Sequence, residues 1–236
     1  MSENYIQEMF NSGAPIQYSE RKIVLSDFLE DENVDYVDVL KTDTDGFDYQ
    51  VLLGAERYIR AKPPLLIQVE VGLNGSESAH ANLFAAVDVL LRGLGYNLLD
   101  LDAWRYARGA LPGRFTYDIP AQTVSGPVGW LDVVYVSDPL ARPGGLDTWI
   151  AEPHGRDRLF KLLALYDLYG FPDCAAELIV ALQKHPTTSE WTDWTSLLNL
   201  LVPPNPFGAK TYEEYVRAFN EDPERFFPSR WEGAAG

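Results

Sequence analysis

One segment constrains the fold of this 236-residue chain more than any other. A strand predicted over residues 36–42, rich in β-branched and apolar side chains, ends in the sequence DTDG at 43–46. A helix is predicted next, because apolar residues recur at spacings near 3.6 until Pro63 ends the pattern. The nearly continuous apolar run 65–71 then predicts a strand that is covered on both faces. This order predicts an open α/β sheet whose ligand site lies at an acidic strand end.

The following segments extend the sheet and then change character. A second helix is predicted after Ser78, and two more strands are predicted over 96–101 and 130–136, so that the sheet has an antiparallel end. Ahead of the first strong strand, residues 22–25 are predicted to be extended. Beyond a linker that follows residue 138, the apolar spacing is helical throughout.

Four regions follow from these patterns. Residues 1–22 are predicted to be an N-terminal arm, and residues 23–138 an α/β domain. Proline and glycine mark residues 139–155 as a linker, and residues 156–236 are predicted to be a helical cap region.

The amino-acid composition excludes several classes of binding partner. The 35 acidic residues exceed the 19 lysines and arginines, for a formal net charge of −16. A phosphate backbone or an anionic membrane surface would be repelled, so no nucleic-acid or membrane partner is expected. Cys174 is the only cysteine, which excludes an internal disulfide and a cysteine-rich zinc site. With no apolar run near the roughly 18 residues of a membrane span, a soluble cytoplasmic protein is expected.

Three known kinds of site place carboxylates at such a strand end. A calcium loop is excluded, because with the glycine at its sixth position the first and twelfth positions hold a lysine and a leucine. An aspartate-nucleophile phosphatase needs a phosphate-binding hydroxyl where Phe47 stands. A glycosyltransferase that holds a divalent cation with Asp43 and Asp45 needs a nucleotide-binding half, for which about 40 preceding residues are too few. The last two remain as remote alternatives.

A longer stretch, from Ile23 to Val71, resembles the FkbM-type methyltransferases. In that family a hydrophobic strand ends in Lys-x-Asp-x-Glu-Gly, a helix carries a Leu-x-Gly-Ala element, and the next strand ends in Glu-Val. The matching positions here are Lys41, Asp43, Gly46, Leu53-Gly54-Ala55 and Glu70-Val71, with Asp45 in place of the family's Glu. The resemblance implies a partial Rossmann-like class I methyltransferase sheet with an antiparallel end, followed by a small all-α C-terminal region.

The resemblance also implies a site and a cofactor. The strand end would face a small-molecule hydroxyl acceptor beside the sulfonium of S-adenosylmethionine. Asp45 is then predicted to be the general base and Asp43 to orient the acceptor or the cofactor, with Glu70 and His80 binding substrate on the same rim. The competing interpretations are helix capping for the two aspartates, an edge salt bridge for Glu70 and a solvated first-turn position for His80. No metal ligand and no cofactor-binding residue is assigned.

The cofactor-binding half of such a fold is missing from the sequence pattern. A glycine-rich turn normally follows the first strand, but Gly13 is the only glycine before Gly46. The strand over 36–42 would then be an exposed edge, to be covered by the arm, by a second copy in a homo-oligomer, or by an N-terminal segment that a truncated gene model has lost.

Two functions from different classes therefore remain. The leading prediction is methyl transfer from S-adenosylmethionine to an oxygen of a sugar, a polyketide or another small hydroxylated acceptor, with inactivity expected if the chain is truncated. The alternative is a non-catalytic binding or scaffold remnant of a methyltransferase.

Overall fold

The computed structural model describes residues 23–74, 81–109, 113–118, 122–205 and 207–227. Contacts divide the chain after residue 141 into an α/β unit and a helical unit. The linker predicted over 139–155 lies across this division.

The α/β unit contains a four-stranded mixed sheet. Its elements are, in chain order, α1 (Leu25–Asp31), β1 (Val39–Thr42), α2 (Asp48–Ala61), β2 (Leu66–Gly72), α3 (Phe84–Gly93), β3 (Asn97–Arg105) and β4 (Val128–Val136). The strands lie in the order β1-β2-β4-β3, with β1 parallel to β2 and β4 antiparallel to both of its neighbours. The predicted α/β sheet with an antiparallel end is confirmed, and it is consistent with a Rossmann-like fold.

Alternation along the central strands gives the sheet one apolar face. In β2, Ile67, Val69 and Val71 are fully buried and form a core with residues of α2 and α3 such as Leu52 and Leu91. The intervening positions of β2 point to the other face, because successive side chains of a strand alternate. Burial of each large aliphatic side chain contributes about 1.5–3 kcal/mol, so this face fixes the register of the strand.

Helix α1 differs from the sequence prediction, which had an extended segment over residues 22–25. It is short, at seven residues, and its N-terminal residue Val24 provides no side-chain cap. It is held instead by tertiary contact: the buried Ser26 hydroxyl donates to the carbonyl of Gly54 at 2.6 Å and accepts from the Tyr58 amide at 3.3 Å. Local sequence carries no sign of these bonds, because they join residues about 30 positions apart.

Two predicted boundaries also differ. Strand β1 begins at Val39 rather than at residue 36, because its pairing partners in β2 begin at Leu66. Helix α3 begins at Phe84, and its N-cap residue Leu83 makes no side-chain cap hydrogen bond. The predicted cap Ser78 lies outside the described residues.

The helical unit packs around apolar stripes. Its elements are α4 (Gly145–Ala151), α5 (Gly155–Leu168), α6 (Pro172–Lys184), α7 (Trp194–Leu200), α8 (Tyr212–Glu221) and a 3₁₀ turn (Pro223–Phe226). Helices α5, α6 and α7 bury Leu159, Leu162, Leu178, Leu182 and Trp194. The predicted linker therefore contains the short helix α4. No helix in the described parts of either unit is long and apolar enough to cross a membrane.

Candidate functional site

The parallel strands β1 and β2 bring two of the predicted site residues together. Asp43 follows the last residue of β1, and Glu70 lies near the end of β2, so both reach the same edge of the sheet. Asp43 also accepts an ion-pair contact from Lys41, with 3.2 Å between Nζ and Oδ2 and both side chains about half exposed. An exposed ion pair of this kind contributes little to stability.

Glu70 has the most perturbed carboxyl group at this edge. Partial burial, with the nearby negative charges of Asp43 and Asp132 adding to it, raises the pKa of Glu70 from 4.5 to about 7. A carboxyl group with such a pKa exchanges its proton near neutral pH. It can therefore accept a proton from a bound hydroxyl and return it to solvent within the same pH range.

Asp45 is an exposed residue in a turn with left-handed backbone geometry. Its φ of 50° is in the left-handed region, and Gly46 continues the turn with a φ of 102°. The N-cap residue of α2 is Phe47, and no side chain makes a cap hydrogen bond there. Within the described part of the chain we find no hydrogen bond or ion pair of the Asp45 carboxylate. Residues held at such backbone angles cluster at functional sites, which makes this turn a candidate for a functional role.

A partly buried set of hydrogen bonds behind this turn, which we call the clamp, was missed in the sequence. Asn82 donates its amide to Asp48 Oδ2 at 3.2 Å and to the carbonyl of Glu70 at 3.0 Å, and it accepts from the Tyr49 amide at 3.0 Å. The Gly72 amide donates to the Asn82 carbonyl at 2.9 Å. The clamp joins the start of α2 to the end of β2, so it holds the two sides of the acidic edge at a fixed separation.

Two polar atoms beside the turn lack a partner. Thr42 Oγ1 and Asp48 Oδ1 are both buried, and neither has a hydrogen-bond partner among the described residues. Buried polar atoms are nearly always hydrogen-bonded, so these two oxygens can still accept a hydrogen bond from a water molecule or a ligand. These two atoms lie at the two ends of the turn 43–47.

Glu70 begins a row of carboxylates that crosses the sheet. Asp132 of β4 lies directly opposite Glu70, and Asp102 of β3 lies directly opposite Asp132, so all three are on one face. The Trp104 indole donates from Nε1 to Asp132 Oδ2 at 2.5 Å. We call Glu70, Asp132 and Asp102 the acidic row.

Aromatic side chains lie next to the acidic row. Two positions further along the register, Trp130 is opposite Trp104, and both therefore share the face of the row. Tyr106 packs on Trp130 with ring centroids 4.6 Å apart, and Tyr117 lies 6.2 Å from Trp104. Burial raises the pKa of Tyr106, which keeps its hydroxyl protonated near neutral pH. Trp104, Tyr106, Tyr117 and Trp130 form the aromatic patch of this site.

The chemistry of these donors suits a cation and a hydroxylated molecule. The carboxylates and the two unpartnered oxygens at this edge are acceptors, which can face a positive charge or take hydrogen bonds from hydroxyl groups. In the described ranges no group of three or more His, Cys, Asp or Glu side chains is arranged to hold a metal ion. His80, the remaining predicted site residue, lies outside the described residues.

Comparison with known families supports the sequence resemblance. Residues 11–98, just over a third of the chain, match the family model described as methyltransferase FkbM domain. The match contains the turn 43–46, Glu70 and the clamp residue Asn82. It supports methyl transfer at the level of the family. Comparisons with curated proteins and with solved structures found no match.

Proposed function

We propose that this chain, whose residues 11–98 are similar to methyltransferase FkbM domains, transfers a methyl group from S-adenosylmethionine to an oxygen of a small hydroxylated acceptor. One observation carries the proposal. Within the matched segment, Asp43 and Glu70 meet at the strand end where α/β sheets bind ligands, and the pKa of Glu70 is raised to about 7.

The cofactor would supply an electrophilic methyl group on a sulfonium cation. The protein's part at this edge is to attract that charge and to keep the acceptor oxygen close to it. Asp43 and the unpaired Oδ1 of Asp48 supply negative charge on the two sides of the turn. Residues that would hold the adenosine part are not assigned.

Glu70 is the proposed proton acceptor, in place of Asp45. A general base works best when its pKa lies near the working pH, and the raised pKa of Glu70 meets this condition. Asp45 is given the role of hydrogen-bonding the acceptor hydroxyl from the exposed turn, because its carboxylate has no other partner among the described residues. The clamp through Asn82 would keep both groups in place.

The aromatic patch favours a neutral, polyhydroxylated acceptor such as a sugar. Indole and phenol rings stack on the apolar faces of sugar rings, while carboxylates of the acidic row accept hydrogen bonds from hydroxyl groups. An anionic acceptor would be repelled by the same carboxylates. For the location of the chain we propose the cytoplasm, because a lone cysteine fits a reducing compartment.

The test combines binding and turnover in the full chain. We expect calorimetry to detect S-adenosylmethionine binding, and labelled methyl groups to appear on simple glycosides. Glu70→Gln should lower the transfer rate by about 100-fold or more, because the proton acceptor is lost. The control is Glu56→Gln, which removes the charge of a carboxylate on α2 outside this site and should leave the rate unchanged.

Two outcomes would contradict the proposal. Absence of binding heat at saturating S-adenosylmethionine would favour the scaffold alternative, since a scaffold remnant needs no cofactor. Normal turnover of Glu70→Gln with loss of turnover in Asp45→Asn would return the base to Asp45.

A further inference from the structure

Helix α8 in the helical unit is amphipathic, yet none of its residues is buried. Tyr212, Tyr215, Val216 and Phe219 recur at the spacing that places them on one side of a helix. Such an apolar face normally packs into a core, which is why it forms. Here Phe219 is 48% exposed.

That face lines a cavity of about 580 Å³. The opposite wall is α6, with Ala176 and Val180, and a third wall is the chain after α7, with Leu201 and Pro203. The volume lies within the range of about 300–1,000 Å³ that is typical of small-molecule pockets. An apolar ligand in this space would make van der Waals contacts with α8 and α6.

The charges around the cavity all have one sign. Asp173 and Glu177, four positions apart on α6, are the charged residues among the described residues of its lining, which include no lysine, arginine or histidine. Carboxylates at this spacing on a helix repel each other unless a cation lies between them. Burial raises the pKa of Tyr215 on the opposite wall, which agrees with a poorly hydrated interior.

We propose that this cavity binds a small molecule with an aromatic or branched aliphatic body and an ammonium group. The body fills the space between α8 and α6, and the ammonium lies against Asp173 and Glu177. The lining of this cavity shares no residue with the acidic row or the aromatic patch, and the proposal does not rest on the proposed methyl transfer.

The requirement for a positive charge can be tested with two probe molecules that have the same apolar part. Phenylbutylamine and phenylbutyrate share the apolar part and differ in the sign of the head group. We expect the amine to bind the full chain and the carboxylate to bind at least about tenfold more weakly in calorimetry. Nuclear magnetic resonance should show shifts of the Tyr212 and Tyr215 rings. Equal affinities, or no binding of the amine, would overturn the proposal.

Variants locate the binding. Asp173→Asn with Glu177→Gln should bring the affinity for the amine down to that for the carboxylate. Glu190→Gln, a charge change in the same unit but outside the cavity lining, is the control and should bind the amine normally. Val180→Phe should fill the space and abolish binding of both probes without lowering the unfolding temperature. If Val180→Phe does not fold, Ala176→Leu replaces it.

A rival occupant is the chain's own end. Residues 228–236 follow the described part and include Arg230 and Trp231, a cation and an apolar ring. Binding of the amine to the unmodified chain supports the ligand. Binding that occurs only after Trp231→Ala would show that the chain's own segment holds the site, and the proposal of a separate ligand would be wrong.

Discussion

At the scale of single residues, Glu70 shows how position changes the chemistry of a side chain. An exposed glutamate is ionised at neutral pH, but Glu70 lies partly buried between Asp43 and Asp132. Loss of hydration and the two neighbouring charges both disfavour its ionised form. The raised pKa that led us to propose this carboxyl group as the base also makes its ionised form a source of instability.

The raised pKa of Glu70 should make the free energy of unfolding depend on pH. Between 4.5 and about 7 the folded state holds a proton that the unfolded state has released, so the free energy of unfolding falls as the pH rises through this window. Glu70→Gln should remove that fall. At about pH 8 the free energy of unfolding of the variant should exceed that of the wild type by about 1 kcal/mol, a moderate value because Glu70 is partly exposed, and at about pH 4 the two should be equal. Urea unfolding at both pH values measures it. Equal pH dependence of the two proteins would contradict the raised pKa.

The turn after β1 should separate stability from activity. Asp45→Gly removes the side chain from a left-handed conformation and should raise the free energy of unfolding by about 1 kcal/mol, while methyl transfer falls. Asp45→Asn, which keeps the shape and tolerates this φ, should lose activity with unchanged stability. Parallel loss of stability and activity in both variants would indicate a purely structural role. Thermal unfolding measures the stability of both variants, and the transfer assay measures their activity.

At the scale of elements, hydrophobic periodicity predicted what burial controls. The strand before the acidic turn, the helix α2 and the strand β2 were found from local spacing, and with them Asp43 and Glu70. The clamp residues Asp48 and Asn82 were missed, because an asparagine that bonds a residue 34 positions away leaves no local pattern. Helix α1 was missed for the same reason, since Ser26 holds it from a distance. The orientation of Asp45 depends on a backbone angle that composition does not reveal.

The clamp should be the most sensitive polar feature of the α/β unit. Asn82→Ala leaves the buried Asp48 carboxylate and the Tyr49 amide without that partner, so we expect a loss of about 2–3 kcal/mol in the free energy of unfolding. Asn74→Ala is the matched control: it removes an exposed amide that donates to the Val128 carbonyl and should cost less than about 0.5 kcal/mol. Similar losses in both variants would show that the clamp has no special weight.

At the scale of the whole molecule, the net charge affects stability and the edge strand β1 affects association. A net charge of −16 on 236 residues makes the folded chain repel itself. In the described residues β1 pairs only with β2, so its other side is an edge. Covering of that edge by a second copy stays a prediction, for which light scattering should give twice 26.5 kDa. A monomeric mass would mean that a segment other than a second copy covers the edge of β1.

Salt should stabilise the protein as a whole. Ions screen the repulsion among carboxylates, so the urea midpoint should rise between about 20 mM and about 300 mM sodium chloride. Glucose at equal osmolarity, which does not screen charge, controls for effects of the solute. A midpoint that falls with salt would show that ion pairs, such as those of Arg57 with Asp27 and Glu30, outweigh the repulsion.

The hydrogen bond from Trp104 to Asp132 gives the site an optical signal of its own. Indole fluorescence responds to nearby charge, and this indole donates directly to a member of the acidic row. A cation or a sugar that arrives at the row would alter the emission of Trp104. The chain contains six tryptophans, so the difference between the wild type and Trp104→Phe isolates this one. Ligand screening at the strand end is thus possible by light emission, with neither a label nor a known reaction.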